Sequence, residues 1–147
     1  PHQLIIVGRK AWMNKELEDF YAQMQFKKGV IWIEKIERTD LLQLMQHAYG
    51  LVYTSLFEGF GIPILEAMTL GLPVICSNTS SMPEVAGNAA LLVQPNNINE
   101  IAEAMNELII NDELRNGLIA KGKTQATHFD WNSSAEKVVE IIKSYQK

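Results

Sequence analysis

The chain has 147 residues, of which 47% are hydrophobic and 20% charged, a size and composition typical of one folded domain and not of a disordered chain. Seventeen acidic and thirteen basic residues give a net charge of -4, which argues against a domain that holds nucleic acid or an anionic membrane by bulk charge. Cys76 is the single cysteine, so no disulfide framework is expected and a reducing compartment fits best. We therefore expect one domain over residues 1–147, without a membrane span, whose partners are small molecules or proteins.

Short β-branched runs alternate with longer stretches of helical period, a pattern typical of βαβ units and a parallel sheet. The predicted strands are residues 4–7, 30–33, 51–54, 73–76 and 90–93. The predicted helices are a segment capped by Asn14 that ends near residue 27, one capped by Asp40 that ends near residue 49, and segments at 63–71, 98–109 and 131–145; residues 112–127 lie between the last two. The predicted fold class is α/β, a Rossmann-like doubly wound parallel sheet.

The densest motif is residues 58–68, which follow a predicted strand and open a predicted helix. Its two glycines let the backbone turn sharply and approach a ligand. Free amides at a helix start, together with the positive end of the helix dipole, favour an anion such as a phosphate. Because Pro63 has no amide hydrogen, the expected donors are the amides of Gly59, Phe60, Gly61, Ile62 and Ile64.

Glu58 and Glu66 are separated by seven residues, the first in the predicted loop and the second about one turn inside the helix. The two oxygens of a carboxylate at Glu66 match two vicinal hydroxyls such as a ribose diol. Glu58 lies nearer the loop, where a sugar hydroxyl or a developing positive charge could be held. Taken alone, both residues equally fit ordinary solvated charges.

Residues 53–61, 66–68, 71–75 and 82–85, in that order, resemble the C-terminal half of retaining glycosyltransferases of family 4, the glycosyl transferases group 1. In that family an E-x7-E pair closes the donor site of a two-domain GT-B fold. The resemblance extends over essentially the whole chain. It implies transfer of a hexosyl group from a nucleotide sugar to an acceptor with retention of configuration.

The resemblance also implies a role for each candidate residue. Glu58 would be catalytic and face the transferred sugar, whereas Glu66 would bind the ribose hydroxyls of the donor. The remaining donor contacts would be the backbone of Gly59, Phe60 and Gly61 at the sugar, the helix start from Ile62 to Ile64 at the diphosphate, and Lys35 with Ile36 near the base. The implied donor is a UDP- or GDP-hexose, without an obligatory metal and without another cofactor.

The sequence departs from the family at its beginning. The family has a further strand before the segment that resembles residues 4–8, and the loop after that strand carries the Arg and Lys that hold the diphosphate; Arg9 and Lys10 follow a different strand and are expected to be an exposed pair. The chain is therefore expected to be an incomplete domain, inactive alone, whose partner is the N-terminal acceptor domain of the same protein. The absent central strand would leave two open sheet edges. The gap would be closed directly, by self-association with a second copy, or by a further segment.

Some interpretations stay open at the level of sequence. Residues 77–81 form a polar loop that either caps the turn at Pro83 and Glu84 or touches the ligand. The three histidines are scattered and lack ligand spacing, so no metal site is expected. The implied setting is polysaccharide biosynthesis in the cytoplasm or at the inner membrane through the parent enzyme. The alternative function is a non-catalytic Rossmann-like module that binds another phosphorylated ligand or assembles with a partner.

Overall fold

A computed structural model describes residues 2–9 and 15–145 of the chain. Within these ranges, strands and helices alternate as the sequence predicts. The strands are β1 (Leu4–Val7), β2 (Val30–Ile33), β3 (Leu51–Tyr53), β4 (Val74–Ser77) and β5 (Ala90–Val93). The helices are α1 (Lys15–Gln23), α2 (Arg38–His47), α3 (Ile62–Thr69), α4 (Met82–Ala86), α5 (Ile98–Ile110), α6 (Asp112–Ala126) and α7 (Trp131–Ser144), with a 3₁₀ turn at Lys27–Gly29.

The described strands form two parallel sheets, one with the order β1-β2 and the other with the order β3-β4-β5. The predicted α/β class with parallel strands is confirmed, although the strands are divided between two sheets. Contacts along the chain divide it into two compact units, Pro1–Gln43 and Leu44–Lys147, with the boundary inside α2. That one domain covers residues 1–147 stays a prediction, as does the means by which the sheet edges at β1 and β3 are closed.

The first unit is held by the parallel ladder from Leu4 and Val30 to Val7 and Ile33. Beyond the ladder, the Gly8 amide donates to the Ile33 carbonyl at 3.0 Å, and the Trp32 indole Nε1 donates to the Gly8 carbonyl at 2.9 Å. The Trp32 ring also meets the ring of Tyr21 edge-on, with centroids 6.1 Å apart. The Trp32 side chain of β2 therefore contacts both the residue that follows β1 and helix α1.

The second unit is built around β4, in which all four residues are buried. Helices α3, α4 and α5 contact β4, and a strand that helices cover on both faces is apolar without alternation. Ile75 packs in a core cluster with Val93 of β5, Leu108 of α5 and Leu118 of α6. Cys76 of the same strand is a buried free thiol, and this burial raises its pKa to about 12.

Helix α6 supports the helix that carries the candidate site. Met68 of α3 is 1% exposed, and a methyl group added to Gly122 of α6 would lie 3.1 Å from Met68 Cγ. The side chain of Gln125, also on α6, donates from Nε2 to the Val85 carbonyl of α4 at 3.0 Å. Helices α3 and α4 are thus both fixed against α6.

The structure corrects three details of the predicted elements. Helix α1 ends at Gln23 and not near residue 27. Asp40 does not cap α2, because the helix begins at Arg38 and places Asp40 in its first turn, where a carboxylate still interacts favourably with the helix dipole. Pro83 and Glu84, expected to form a turn, lie in the short helix α4. The predicted cap Asn14 lies outside the described residues. Within the described ranges, none of the helices combines the length and the apolar character needed to span a bilayer.

The close packing of α3 on α6 can be tested by substituting two glycines of α6, Gly122 and Gly117. Gly122→Leu should lower the free energy of unfolding by about 1–3 kcal/mol, because the new side chain must displace Met68 from a filled core. Gly117 is exposed and has open space around its missing Cβ. Gly117→Leu should therefore raise the free energy of unfolding by roughly 0.5–1 kcal/mol through helix propensity. Urea unfolding of both variants checks this, and equal effects at the two positions would contradict it.

Candidate functional site

The candidate site lies where two neighbouring strands end. Strands β3 and β4 pair in parallel from Leu51 and Val74 to Tyr53 and Cys76, so the loops that follow them leave the same edge of the sheet. The loop 54–61 connects β3 to α3, and the loop 78–81 connects β4 to α4. Ligands of open parallel sheets bind at this carboxyl edge.

The start of α3 has the geometry expected of an anion-binding turn. Gly61 precedes the helix with φ +101° and ψ 44°, a left-handed conformation that favours glycine, and Pro63 lies in the first turn. Ile62 is 52% exposed, whereas Ile64 is completely buried. The Ile64 amide donates to the Gly61 carbonyl at 2.9 Å. It is therefore engaged in the helix turn, which corrects the expectation that it is a free donor to a phosphate.

The two glutamates lie on different kinds of structure. Glu66 is the fifth residue of α3 and is half-buried. Glu58 is also half-buried but lies in the loop, next to the exposed residues Gly59 and Phe60. The Phe60 ring meets the ring of Phe129 edge-on, with centroids 5.8 Å apart. This aromatic pair links the loop to the segment that precedes α7.

Hydroxyl side chains at the end of β4 and in the loop after it hold the backbone of the Glu58 loop. We call Ser77, Thr79, Ser80 and Ser81 the hydroxyl clamp. Ser77 Oγ donates to the Ser55 carbonyl at 2.6 Å, and Thr79 Oγ1 donates to the Leu56 carbonyl at 3.1 Å. Ser80 Oγ donates to the Glu58 carbonyl at 2.6 Å. Ser81 Oγ donates to the carbonyls of Glu58 and Phe60, each at 2.9 Å. The Glu58 amide in turn donates to Ser80 Oγ at 3.3 Å.

The hydroxyl clamp adds a contact to the two that the sequence left open for residues 77–81. These side chains bond to the loop that carries Glu58, a contact that neither sequence interpretation included. The sequence did contain an indication of this contact, because four of the residues from 77 to 81 carry hydroxyl groups and directly follow the predicted strand 73–76. Only the register of β3 against β4 shows which carbonyls they reach.

Tyr53 is a further residue of the site that the sequence did not single out. It is the last residue of β3 and is half-buried. Its pKa is raised to about 12, chiefly by burial and then by the hydrogen bond to the Glu58 side chain and the negative charge of that carboxylate, while a hydrogen bond with the Ser55 side chain lowers it. The neutral phenol therefore donates to the Glu58 carboxylate.

The other predicted site residues lie in the first unit of the chain. Lys35 is exposed and Ile36 half-buried in the segment after β2, and their role near a nucleotide base stays a prediction. Arg9 is exposed, and Lys10 lies outside the described residues. Across residues 2–9 and 15–145, the histidines, cysteine and carboxylates form no group of three that could hold a metal ion.

Comparison with known proteins gives the family. The model of the family described as glycosyl transferases group 1 matches residues 1–125. The chain is 33% identical over 142 residues to the O-antigen chain mannosyltransferase B of Escherichia coli, and 30% identical over 137 residues to the O-antigen chain mannosyltransferase RfbU of Salmonella typhimurium. These alignments cover 97% and 93% of this chain but only 37% and 38% of the two enzymes. The chain belongs to the glycosyl transferases group 1 family.

A solved structure gives the fold. HepE of Anabaena, in complex with UDP, superposes with a TM-score of 0.85 at 24% sequence identity, over 97% of this chain and 41% of HepE. The chain therefore spans about two fifths of these relatives. The predicted fold, the Rossmann-like C-terminal half of a GT-B glycosyltransferase, is confirmed.

The contact between Tyr53 and Glu58 has a consequence for stability at alkaline pH. Because the pKa of Tyr53 is raised from 10.0 to about 12, the unfolded chain loses this proton at a lower pH than the folded chain. The stability contributed by the neutral phenol is complete below pH 10.0 and is lost as the pH rises towards 12. Tyr53→Phe should therefore lose less stability than the original chain over this interval.

Urea unfolding between about pH 8 and about pH 11, on both sides of the ordinary tyrosine pKa, checks this. Cys76 also titrates in the alkaline range but is present in both proteins, so the difference between them isolates Tyr53. Parallel pH profiles for the two proteins would contradict the assignment.

Proposed function

We propose that this chain is the donor-binding domain of a retaining glycosyltransferase of family 4, which transfers a hexosyl group from a nucleotide sugar to an acceptor. The observation that carries the proposal is the arrangement after β3, where Glu58 precedes a left-handed glycine at the start of α3 and Glu66 follows inside that helix. The relatives named above as mannosyltransferases support a hexosyl donor. The UDP in the HepE complex supports a nucleotide.

The start of α3 is proposed to bind the donor diphosphate. Amides of the first turn and the positive end of the helix dipole stabilise an anion there. The engaged Ile64 amide leaves the backbone of Ile62 and of the preceding residues Gly59, Phe60 and Gly61 for the donor. Because the helix supplies positive potential, a metal ion is not obligatory in this proposal.

Glu66 is proposed to bind the ribose of the donor. Its place in α3 keeps the carboxylate on a regular helix, and the packing of Met68 on α6 keeps that helix in position. Two carboxylate oxygens accept hydrogen bonds from two vicinal hydroxyls, and charge-assisted bonds of this kind are strong. Lys35 and Ile36 are proposed to contact the base, which would be uracil or guanine.

Glu58 is proposed to act at the transferred sugar. Positive charge develops on the sugar as the bond to the diphosphate breaks, and a fixed carboxylate stabilises such charge most effectively when it is held in place beforehand. Retention of configuration requires that the acceptor attack the same face that the leaving group departs from. The neutral Tyr53 phenol bonded to Glu58 leaves the negative charge on the glutamate.

The acceptor is proposed to bind to another domain of the same protein. The chain spans less than two fifths of the two mannosyltransferases, and an N-terminal acceptor domain would complete the donor cleft. Under this proposal the complete enzyme acts in polysaccharide synthesis in the cytoplasm or at the surface of the inner membrane, and the present chain alone does not transfer sugar.

The ribose assignment predicts a loss of nucleotide affinity in Glu66→Ala. Each charge-assisted hydrogen bond contributes roughly 1.5–3 kcal/mol, so the affinity for UDP or GDP should fall at least ~10-fold. Calorimetric titration with UDP, GDP and ADP measures this and identifies the base. Glu103→Ala, the same charge change at an exposed position of α5, is the matched control and should keep the original affinity. Equal affinities for Glu66→Ala and Glu103→Ala, with both folded, would refute the assignment.

The catalytic assignment predicts a different response from Glu58→Gln in the complete two-domain enzyme. Glutamine keeps the size of the side chain and an acceptor for the Tyr53 phenol but removes the charge. Turnover should fall ~100-fold or more while the donor KM changes little, the pattern of an interaction made mainly in the transition state. Steady-state kinetics with a radiolabelled nucleotide sugar measures both parameters.

An unchanged turnover in Glu58→Gln would remove Glu58 from the catalytic step. If the complete protein transferred no sugar to any acceptor, a non-catalytic phospholigand-binding or assembly module would become the better account. The calorimetric result for Glu66→Ala would still stand as evidence for nucleotide binding in that case.

A further inference from the structure

We infer that Ser80 and Ser81 are positioning residues for sugar transfer, which hold the backbone of Glu58 and thereby aim its carboxylate. The inference rests on the proposed catalytic role of Glu58. It concerns two side chains that lie on another loop, 22 and 23 residues further along the chain.

The two peptide groups that meet at the Cα atom of Glu58 are both bonded to Ser80. Its hydroxyl oxygen accepts from the Glu58 amide at 3.3 Å and donates to the Glu58 carbonyl at 2.6 Å. Since each peptide group is planar, fixing the amide on one side and the carbonyl on the other fixes the direction of the Cα–Cβ bond. One hydroxyl therefore sets where the Glu58 side chain leaves the backbone.

Ser81 secures the same segment further along. Its hydroxyl oxygen is 2.9 Å from the carbonyls of both Glu58 and Phe60, and the residue between them is the exposed Gly59. A glycine loses more conformational freedom on ordering than any other residue. The two Ser81 hydrogen bonds, one on each side of Gly59, restrain a backbone segment that the glycine would otherwise leave flexible.

The backbone at Ser80 is in a costly conformation. Its φ is +58°, and among the described residues it is the non-glycine residue with positive φ. Such conformations cost energy and persist where the surrounding structure holds them, commonly at functional sites. Here the conformation accompanies a hydroxyl that contacts both the amide and the carbonyl of Glu58.

The carboxylate end of Glu58 has its own partner in the Tyr53 phenol. Tyr53 and the two serines thus hold opposite ends of the same residue, from β3 on one side and from the loop after β4 on the other. Loss of the serine contacts would leave the carboxylate tethered but misaligned with the sugar. A misplacement of about 1 Å costs on the order of 100-fold in rate.

The ribose contact at Glu66 is expected to be independent of the two serines. Glu66 lies on α3, and α3 is anchored through Met68 to α6. The serines should therefore affect turnover more than donor affinity. This separation distinguishes a positioning role from a general contribution to folding.

The test uses the complete enzyme with the double substitution Ser80→Gly and Ser81→Ala. Glycine adopts the positive φ at position 80 without strain, so the change removes the hydroxyl without adding a backbone clash. We expect kcat to fall at least ~10-fold and the donor KM to change less than ~3-fold. Ser81→Thr, which keeps a hydroxyl, should retain the original kcat.

The control is Ser144→Ala on α7. It removes a comparable hydroxyl bond, from Ser144 Oγ to the Ile141 carbonyl at 2.7 Å, and should leave kcat unchanged. If the double variant does not fold, Ser81→Ala alone replaces it, with an expected fall in kcat of ~5-fold or more for one lost bridge. A kcat within ~2-fold of the original in a folded variant, or equal changes in kcat and KM, would overturn the inference.

A second measurement shows whether the serines act through Glu58. In a Glu58→Gln background the same double substitution should lower kcat by less than ~3-fold, since there is no charge left to aim. Additive losses would overturn the positioning role. If Glu58→Gln alone leaves kcat intact, the catalytic role of Glu58 fails and the inference fails with it. If Glu58→Gln loses activity and the serine substitutions do not, only the inference fails.

Discussion

The parallel pairing of β3 with β4 is the constraint on which the candidate site depends. The ladder that aligns Leu51 with Val74 and Tyr53 with Cys76 brings two loops to one edge of the sheet, although the residues that bond to each other are 21 to 23 positions apart along the chain. The ladder is secured by the complete burial of β4. The core therefore determines the site indirectly, by fixing which carbonyls of one loop face which hydroxyls of the other.

The two candidate carboxylates are held by different means. Glu66 stands on a helix whose inner face is closed by Met68 against α6, so its position follows from apolar packing. Glu58 stands on a loop and is held by hydrogen bonds, to Ser80 and Ser81 through its backbone and to Tyr53 through its side chain. Hydrogen bonds to a loop can be broken and remade at less cost than a packed core can be opened. The direction of Glu58 therefore depends on a few hydrogen bonds, whereas the position of Glu66 depends on the packing of the core.

Local sequence pattern predicted most of the fold. Apolar runs predicted the five strands to within a residue. The caps of α5, α6 and α7 were not predicted, although the side chains of Asn97, Asn111 and Asp130 accept amide hydrogen bonds where these helices begin. The errors have local causes as well. Asp40 resembles a cap in sequence but follows the first residue of α2, and Pro83 resembles a turn residue although it lies in the first turn of the five-residue helix α4.

The site was less predictable because its defining contacts are not local. The spacing of Glu58, Gly61 and Glu66 identified the loop and the helix, but no spacing indicates that Ser80 contacts both polar groups of the Glu58 backbone. The bond from the Ile64 amide to Gly61 likewise depends on the left-handed turn at that glycine, which a sequence permits without requiring. A pattern of residue types can indicate which side chains a reaction would use. Their alignment comes from strand register and from neighbours that only the folded chain brings together, which is why Ser80, Ser81 and Tyr53 emerge as the residues that give Glu58 a fixed direction.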